Sequence, residues 1–556
     1  MTERRWGRLR PRVSGLSIVG VLVGTVFFAV SLSPSLLPRP FVVQGILSGV
    51  SFAVGYGLGV AGLAAWKFLG LPVAAGRYRH ALVLGAGALC ALVAVAFLWQ
   101  ASTWQNSLRA MMGMEQDWGL EPAIIGPVAA LVFVLLLVLA RLFRRLFRFL
   151  STRLKAYVPR RISYMVSILV SVVVFWSLID GVLVSAVLRT ADRSFQQLDA
   201  LMEADLPRPS RPEQTGSAAS LVDWSSLGRQ GRRFVAGGPD GAALSAFFDT
   251  ELRAPIRVYV GLNSADSPEA RARLALEELV RAGGFERSVL LLATPTGTGW
   301  IDPAGQDPVE YLLRGDIATV AVQYSYLNSP LALLTKGAYG AETARVVFRE
   351  IYGYWRELPP ESRPRLYLSG LSLGSLNSDL SFDLFDIIDD PFAGVLWAGP
   401  PFRNESWRRM VRERDPASPA WFPRFRDGAV VRFTLGAEDT ATEVAANVAA
   451  DYAPWGDFRI IVLQYPSDPI TFFEPSAAWR APAWMQEPRG PGVTPDLRWF
   501  PIVTMLQLGA DMLVGTAPPG FGHEYAPRDY LSAWRALMVP PGWTQADIER
   551  LEQLFE

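Results

Sequence analysis

The chain has 556 residues, more than one domain's worth, and a net charge of +1, so nothing in its overall charge points to nucleic acid. Half of it is apolar and the mean hydropathy is +0.21, high for a soluble protein. One cysteine, Cys90, excludes a disulfide framework or a thiolate metal site within one chain, and only two histidines are present, His80 and His523.

Five apolar stretches lie near 14–32, 41–66, 81–99, 123–140 and 163–188. A helix crosses a bilayer in roughly 20 residues, so the region 1–189 is expected to be an all-α transmembrane bundle of about five helices. Asp180 is the clear charge among them. Gly45-x-x-x-Gly49 and Gly55-x-x-x-Gly59 suit close helix packing. Alternate loops are rich in base: Arg4 to Arg12, then Lys67, Arg77 and Arg79, then Arg141 to Arg161. Basic loops stay cytoplasmic. The expectation is a multi-pass protein of the cytoplasmic (inner) membrane, with its N-terminus inside and all that follows residue 189 outside. His80 then falls in a cytoplasmic loop.

Residues 190–229 read as a linker, with the proline-dense run 204–212. From 230 to 556 the pattern alternates. Strands are expected at Ile256–Leu262, Ser288–Ala293, Asp316–Tyr324, Arg365–Ser369, Gly394–Trp397, Val430–Leu435 and Arg459–Gln464, with helices at Pro268–Ala282 and Glu342–Trp355. Such alternation predicts a mostly parallel sheet with helices on both faces.

The apolar strand before Gly370-Leu-Ser-Leu-Gly374 leads into Gly-x-Ser-x-Gly. There a serine, Ser372, sits on a sharp strand-to-helix turn, with small residues on either side because backbone packs against it. Ser372 is expected to stand exposed above the sheet edge. A serine hydroxyl needs a base, and the base an orienting acid, in the chain order Ser, Asp or Glu, His. The only histidine after Ser372 is His523. Two aspartates end strands. Counting strands favours Asp439, whereas Ser467-Asp468-Pro469 after an apolar strand favours Asp468, which is the preferred acid. Oxyanion donors are expected from the N–H of Leu373 and from the loop Thr294–Trp300, at Gly297 and Thr298. Between Asp468 and His523 runs an aromatic, proline-broken excursion, a lid-like insertion near 474–520. No metal or cofactor is expected.

These residues resemble a bacterial family of membrane-anchored α/β-hydrolase-fold proteins, with an N-terminal multi-span domain and a C-terminal serine-hydrolase domain. The resemblance rests on Ser31-Leu-Ser-Pro-Ser-Leu-Leu-Pro-Arg39, Leu227-Gly-Arg-Gln-Gly-Arg-Arg-Phe-Val235, Thr296-Gly-Thr-Gly-Trp300, Gly370-Leu-Ser-Leu-Gly374, Gln464-Tyr-Pro-Ser-Asp-Pro-Ile470 and Gly520-Phe-Gly-His523. It implies the α/β-hydrolase fold and supports Asp468 over Asp439, but implies no substrate. The expected activity is hydrolysis of an ester or thioester of lipid or cell-envelope material through an acyl-enzyme on Ser372. Alternatives are an acyltransferase with the same triad, or a membrane scaffold with a hydrolase-like domain. Oligomeric state is not legible.

Overall fold

Five helices form the N-terminal part: α1 (Ile18–Ser31), α2 (Phe41–Phe68), α3 (Tyr78–Met111), α4 (Pro122–Leu154) and α5 (Arg160–Trp176). The computed structural model describes residues 15–72, 78–117, 119, 122–155, 159–176, 199, 201–203, 206–326, 337–437, 443–514 and 517–555. By packing, the chain divides into two units. One is Met1–Ser171 with Ala477–Arg480 and Asp496–Ala510; the other is Val172–Ser476, Ala481–Pro495 and Asp511–Glu556.

Among the described residues, three helices are long and apolar enough to cross a membrane: Phe41–Phe68, Ala81–Met111 and Ala123–Leu154. The sequence led to five. α1 has 14 residues because Ser17 caps its start and its last turn runs into Ser33-Pro34. At 1.5 Å per residue it measures about 21 Å, short of the roughly 30 Å hydrocarbon core. α5 is described over 17 residues, and Asp180 lies outside the described residues. His80 falls within the first turn of α3 rather than in a loop.

The glycine pairs of α2 face two neighbours. A Cβ at Gly45 or Gly49 would sit 2.7 Å from Val128 or the Ala129 carbonyl of α4. At Gly55 or Gly59 it would meet the Val23 carbonyl at 2.8 Å or the Val19 carbonyl at 2.7 Å, both on α1. Small residues let these backbones approach, which is how helices associate when lipid removes the hydrophobic drive. The serine-rich turn after α1 is tied down by polar side chains. Gln44 donates to the Ser31 carbonyl at 3.0 Å, and Gln507 donates to the Ser33 carbonyl at 3.0 Å. Gln507 belongs to the expected lid, whose residues 496–510 pack in this unit, whereas 481–495 pack in the other.

The second unit is built on seven parallel strands, β1 (Ile256–Val260), β2 (Val289–Thr294), β3 (Ile317–Val322), β4 (Arg365–Leu371), β5 (Gly394–Ala398), β6 (Val431–Thr434) and β7 (Arg459–Leu463), in the order β1-β3-β2-β4-β5-β7-β6. The helices that matter here are α6 (Gly228–Ala236), α7 (Pro268–Arg281), α8 (Pro303–Leu312), α9 (Gly337–Glu357), α10 (Leu373–Asp379) and α12 (Pro527–Met538), whereas α11 (Val503–Val514) belongs to the first unit through Ala510. α7 packs with α9, and α8 with α12, on the sheet. The strands are almost wholly buried, as a sheet covered on both faces requires. Val289, Leu291, Tyr367, Leu396, Ile461 and Leu463 share one core with Trp534 and Leu537 of α12.

From β2 the chain moves outward to β3, and from β4 the other way to β5. β2 and β4 are therefore neighbours whose connections diverge, and the crevice beyond their C-terminal ends is where open α/β sheets bind ligands.

Candidate active site

The ends of four adjacent strands are level. Thr294 of β2 pairs with Gly370, Leu371 of β4 with Ala398, and Ala398 of β5 with Leu463 of β7. Ser372 follows β4 directly, the Thr296–Gly299 turn follows β2, and Asp468 lies five residues after β7.

Ser372 follows β4 with φ 56° and ψ −121°, a conformation strained for a residue carrying a Cβ. The strain is held from both sides. Its N–H donates to the Ala398 carbonyl at 3.0 Å, and its carbonyl accepts from the Ser375 hydroxyl at 2.6 Å. The flanking glycines are steric necessities. A Cβ on Gly370 would lie 2.3 Å from the Gly374 backbone, and one on Gly374 would lie 2.3 Å from the Thr294 carbonyl. The sequence led to an exposed serine. Instead Ser372 is 4% exposed, so a substrate must enter an almost closed site.

Asp468 follows β7 and is fully buried. Its Oδ1 accepts from the N–H of Ile470 at 2.8 Å and of Thr471 at 3.4 Å. Its Oδ2 accepts from the hydroxyls of Thr471 at 3.0 Å and Tyr525 at 2.8 Å, and from His523 Nδ1 at 2.7 Å. A carboxylate surrounded by donors can only accept, so the imidazole proton sits on Nδ1. In the neutral ring that leaves Nε2 as a free lone pair. Nε2 is buried and has no hydrogen-bond partner. The ring lies against the end of β5: a Cβ on Gly399 would be 2.6 Å from its Cε1. Ser372 and His523 thus rest on consecutive residues, Ala398 and Gly399. Asp439 lies outside the described residues. The strand count that favoured it rests on chain order alone, Asp439 following the second strand after the elbow. In the sheet β7 lies beside β5 and β6 is the edge.

The segments that carry Asp468 and His523 are fastened together. The Gly522 N–H donates to the Ser467 hydroxyl at 2.9 Å, and the Ala526 N–H to the Tyr465 hydroxyl at 3.0 Å. The rings of Tyr465 and Tyr525 stack at 4.5 Å. Sequence reasoning missed Tyr525, Ser467 and Tyr465, although all three stand within three residues of Asp468 or His523. Burial works against a charged His523, but the Asp468 carboxylate outweighs it, with help from Glu524 and Asp302, and raises the ring's pKa above 6.5. Asp302, the N-cap of α8, is itself pushed up to about 6 by burial.

The Thr296–Gly299 turn follows β2. Thr296 donates to the Trp300 carbonyl at 3.0 Å and Gly299 to the Thr296 carbonyl at 3.0 Å, so the turn's own bonds leave out the N–H groups of Gly297 and Thr298. Leu373 is the first residue of α10, where backbone N–H groups have no partner within the helix.

A model of the alpha/beta-hydrolase family matches residues 256–551, and a model of that family's N-terminus matches residues 32–239. The chain belongs to the alpha/beta-hydrolase family. No curated protein and no solved structure matches the chain. The family resemblance drawn from the motifs therefore holds for both parts of the chain. Its hydrolase-like domain is the parallel sheet that carries Ser372, Asp468 and His523.

Proposed function

We propose that the protein is a membrane-tethered serine hydrolase, cleaving an ester or thioester of lipid or cell-envelope material. Ser372 attacks the acyl carbon and His523 Nε2 takes its proton. Asp468 holds the ring in the required tautomer and stabilises the imidazolium. The N–H groups of Leu373, Gly297 and Thr298 receive the oxyanion. His523 returns the proton to the leaving alcohol or thiol, and water then resolves the acyl-enzyme by the same steps in reverse roles. The observation that carries this reading is the buried, unpaired Nε2 of an imidazole bound through Nδ1 to a buried carboxylate. Leaving a buried polar atom unsatisfied costs about 1–3 kcal/mol, which a purely structural histidine has no reason to bear. The lipidic substrate class is supported by the membrane helices, and the orientation with the catalytic domain outside the cytoplasm by the basic loops.

A fluorophosphonate probe tests the reaction class. The expected result is a phosphonyl adduct on the peptide containing Ser372, abolished by Ser372→Ala in folded protein. An adduct elsewhere, or none, would sink the proposal. A panel of esters differing in acyl length then ranks the substrates.

The pH dependence has a definite sign. A general base must be neutral, so kcat/KM should fall as pH drops through the His523 pKa. Because that pKa is raised, the acid limb should lie above pH 6.5. A pH–rate profile with its limb below the ordinary histidine range would contradict the Asp468–His523 pairing.

A further inference from the structure

β1 reads Ile-Arg-Val-Tyr-Val in a strand buried throughout. Two polar side chains, Arg257 and Tyr259, occupy alternate positions and so one face. An apolar pair would fill this space at less cost, since a buried hydroxyl or amide must find partners. Tyr259 finds its partner in the turn after β2: its hydroxyl, fully buried, donates to the Gly299 carbonyl at 2.7 Å. Gln323, equally buried just after β3, converges on the same turn. Its Nε2 donates to the Thr298 carbonyl at 3.2 Å and the Ser325 carbonyl at 3.1 Å, while its Oε1 accepts from the Leu262 N–H at 3.1 Å. The Leu262 bond fixes which end of the amide faces the turn.

A third group braces the first two. Asp199, from the connector, has Oδ2 3.4 Å from Gln323 Nε2 and accepts from the Arg229 N–H of α6 at 3.0 Å. The glycines of two separate motifs are required by this one packing. A Cβ on Gly231 would lie 2.4 Å from the Tyr259 ring, one on Gly228 would lie 2.3 Å from Asp199 Oδ2, and one on Gly299 would lie 2.4 Å from the Tyr259 hydroxyl. At its other end α6 is held by Arg257, which donates to the Phe234 carbonyl at 2.9 Å.

We propose that Tyr259 and Gln323, braced by Asp199 and α6, are positioning residues for the oxyanion loop. They hold the carbonyls of Thr298 and Gly299, in the peptide units next along the turn, and so fix the turn that offers the N–H groups of Gly297 and Thr298 to the reacting carbonyl. This rests on the serine-hydrolase reading and adds to it the groups that hold its oxyanion donors. It also gives Leu227–Val235 and Thr296–Trp300 a common purpose. Neither side chain touches substrate; each acts through the peptide units of the turn.

The test uses the full-length protein, with Tyr259→Phe and Gln323→Leu as independent variants. Active sites are titrated by the p-nitrophenol burst, and kcat is expressed per titrated site. Misplacing a catalytic group by an ångström costs on the order of 100-fold, so each variant is expected to lose about 10- to 100-fold in kcat per site. KM for the ester and the acid limb of the pH profile should not move, because acyl binding and His523 are untouched. The inhibition constant of a trifluoromethyl ketone, which forms a tetrahedral adduct on Ser372, should rise in proportion to the fall in kcat/KM. If kcat per site stays within about twofold of wild type while only the titratable fraction or thermal stability falls, the residues are merely structural and the proposal is overturned. Absence of a fluorophosphonate adduct on wild-type Ser372 would instead defeat the hydrolase reading, and this one with it.

Discussion

Asp468→Asn is expected to lower kcat per active site about 10⁴-fold while leaving the fold and ester KM intact. The carboxylate accepts the Nδ1 proton of His523 together with bonds from Ile470, Thr471 and Tyr525. An asparagine has the same shape but must turn its NH₂ toward either the imidazole or the other donors. Because the backbone N–H groups of Ile470 and Thr471 both donate to Oδ1 and cannot reverse, the amide oxygen keeps that place and the amide nitrogen faces Nδ1. The ring then places its proton on Nε2, where it cannot accept one from Ser372. The carboxylate charge that raises the His523 pKa is lost as well, so the acid limb of residual activity should move down. The measurement is burst-titrated kcat and the rate of fluorophosphonate capture across pH. Retention of activity within about tenfold, with loss instead in Asp439→Asn, would transfer the acid role to Asp439.

Arg257→Met should destabilise the hydrolase-like domain by about 3–5 kcal/mol, the usual cost of stranding a buried partner charge. Arg257 donates to both oxygens of Glu310, at 2.8 and 2.7 Å, and to Asp307 at 2.7 Å. Glu310 is fully buried and has, besides Arg257, the amide of Gln306 at 2.8 Å. Removing the guanidinium leaves that carboxylate without its counter-charge and also frees the Phe234 carbonyl at the end of α6. For a domain of this size the thermal transition should fall by roughly 10 °C. Arg257→Met combined with Glu310→Leu should recover most of the loss, since an apolar pair replaces a buried ion pair at little cost. A single variant as stable as wild type would show that the pair contributes nothing.

What could be read from the chain was chemistry confined to a few consecutive residues. The elbow at Ser372 is legible because its glycines answer a steric demand within one turn. His523 was reachable by scarcity, there being no other histidine beyond residue 80. The strands were found to within about two residues, since buried β-branched runs bounded by Gly, Pro and Asp are local signals. Sheet order was not legible: β6 precedes β7 in the chain yet lies outside it, and nothing in either strand's composition says so. The closure around Ser372 escaped for the same reason, because burial is set by segments distant in sequence. Among the described residues only three helices have the length to span, because apolar composition does not report where a helix is capped; Ser17 and Ser33-Pro34 decide that for α1. Tyr259 and Gln323 were missed although Ile-Arg-Val-Tyr-Val was a signal. Polar residues at alternate positions of a doubly covered strand require buried partners, which the sequence does not name.

The fastening between the segment after β7 and the segment holding His523 has a mechanical consequence. Ser467, Asp468 and Tyr465 each engage the opposite segment, so imidazole and carboxylate form one rigid module. Any opening of this site must therefore come from the far wall, where Ser372 and the turn after β2 stand. The Asp468–His523 pair survives each such opening intact, and only its distance to Ser372 changes.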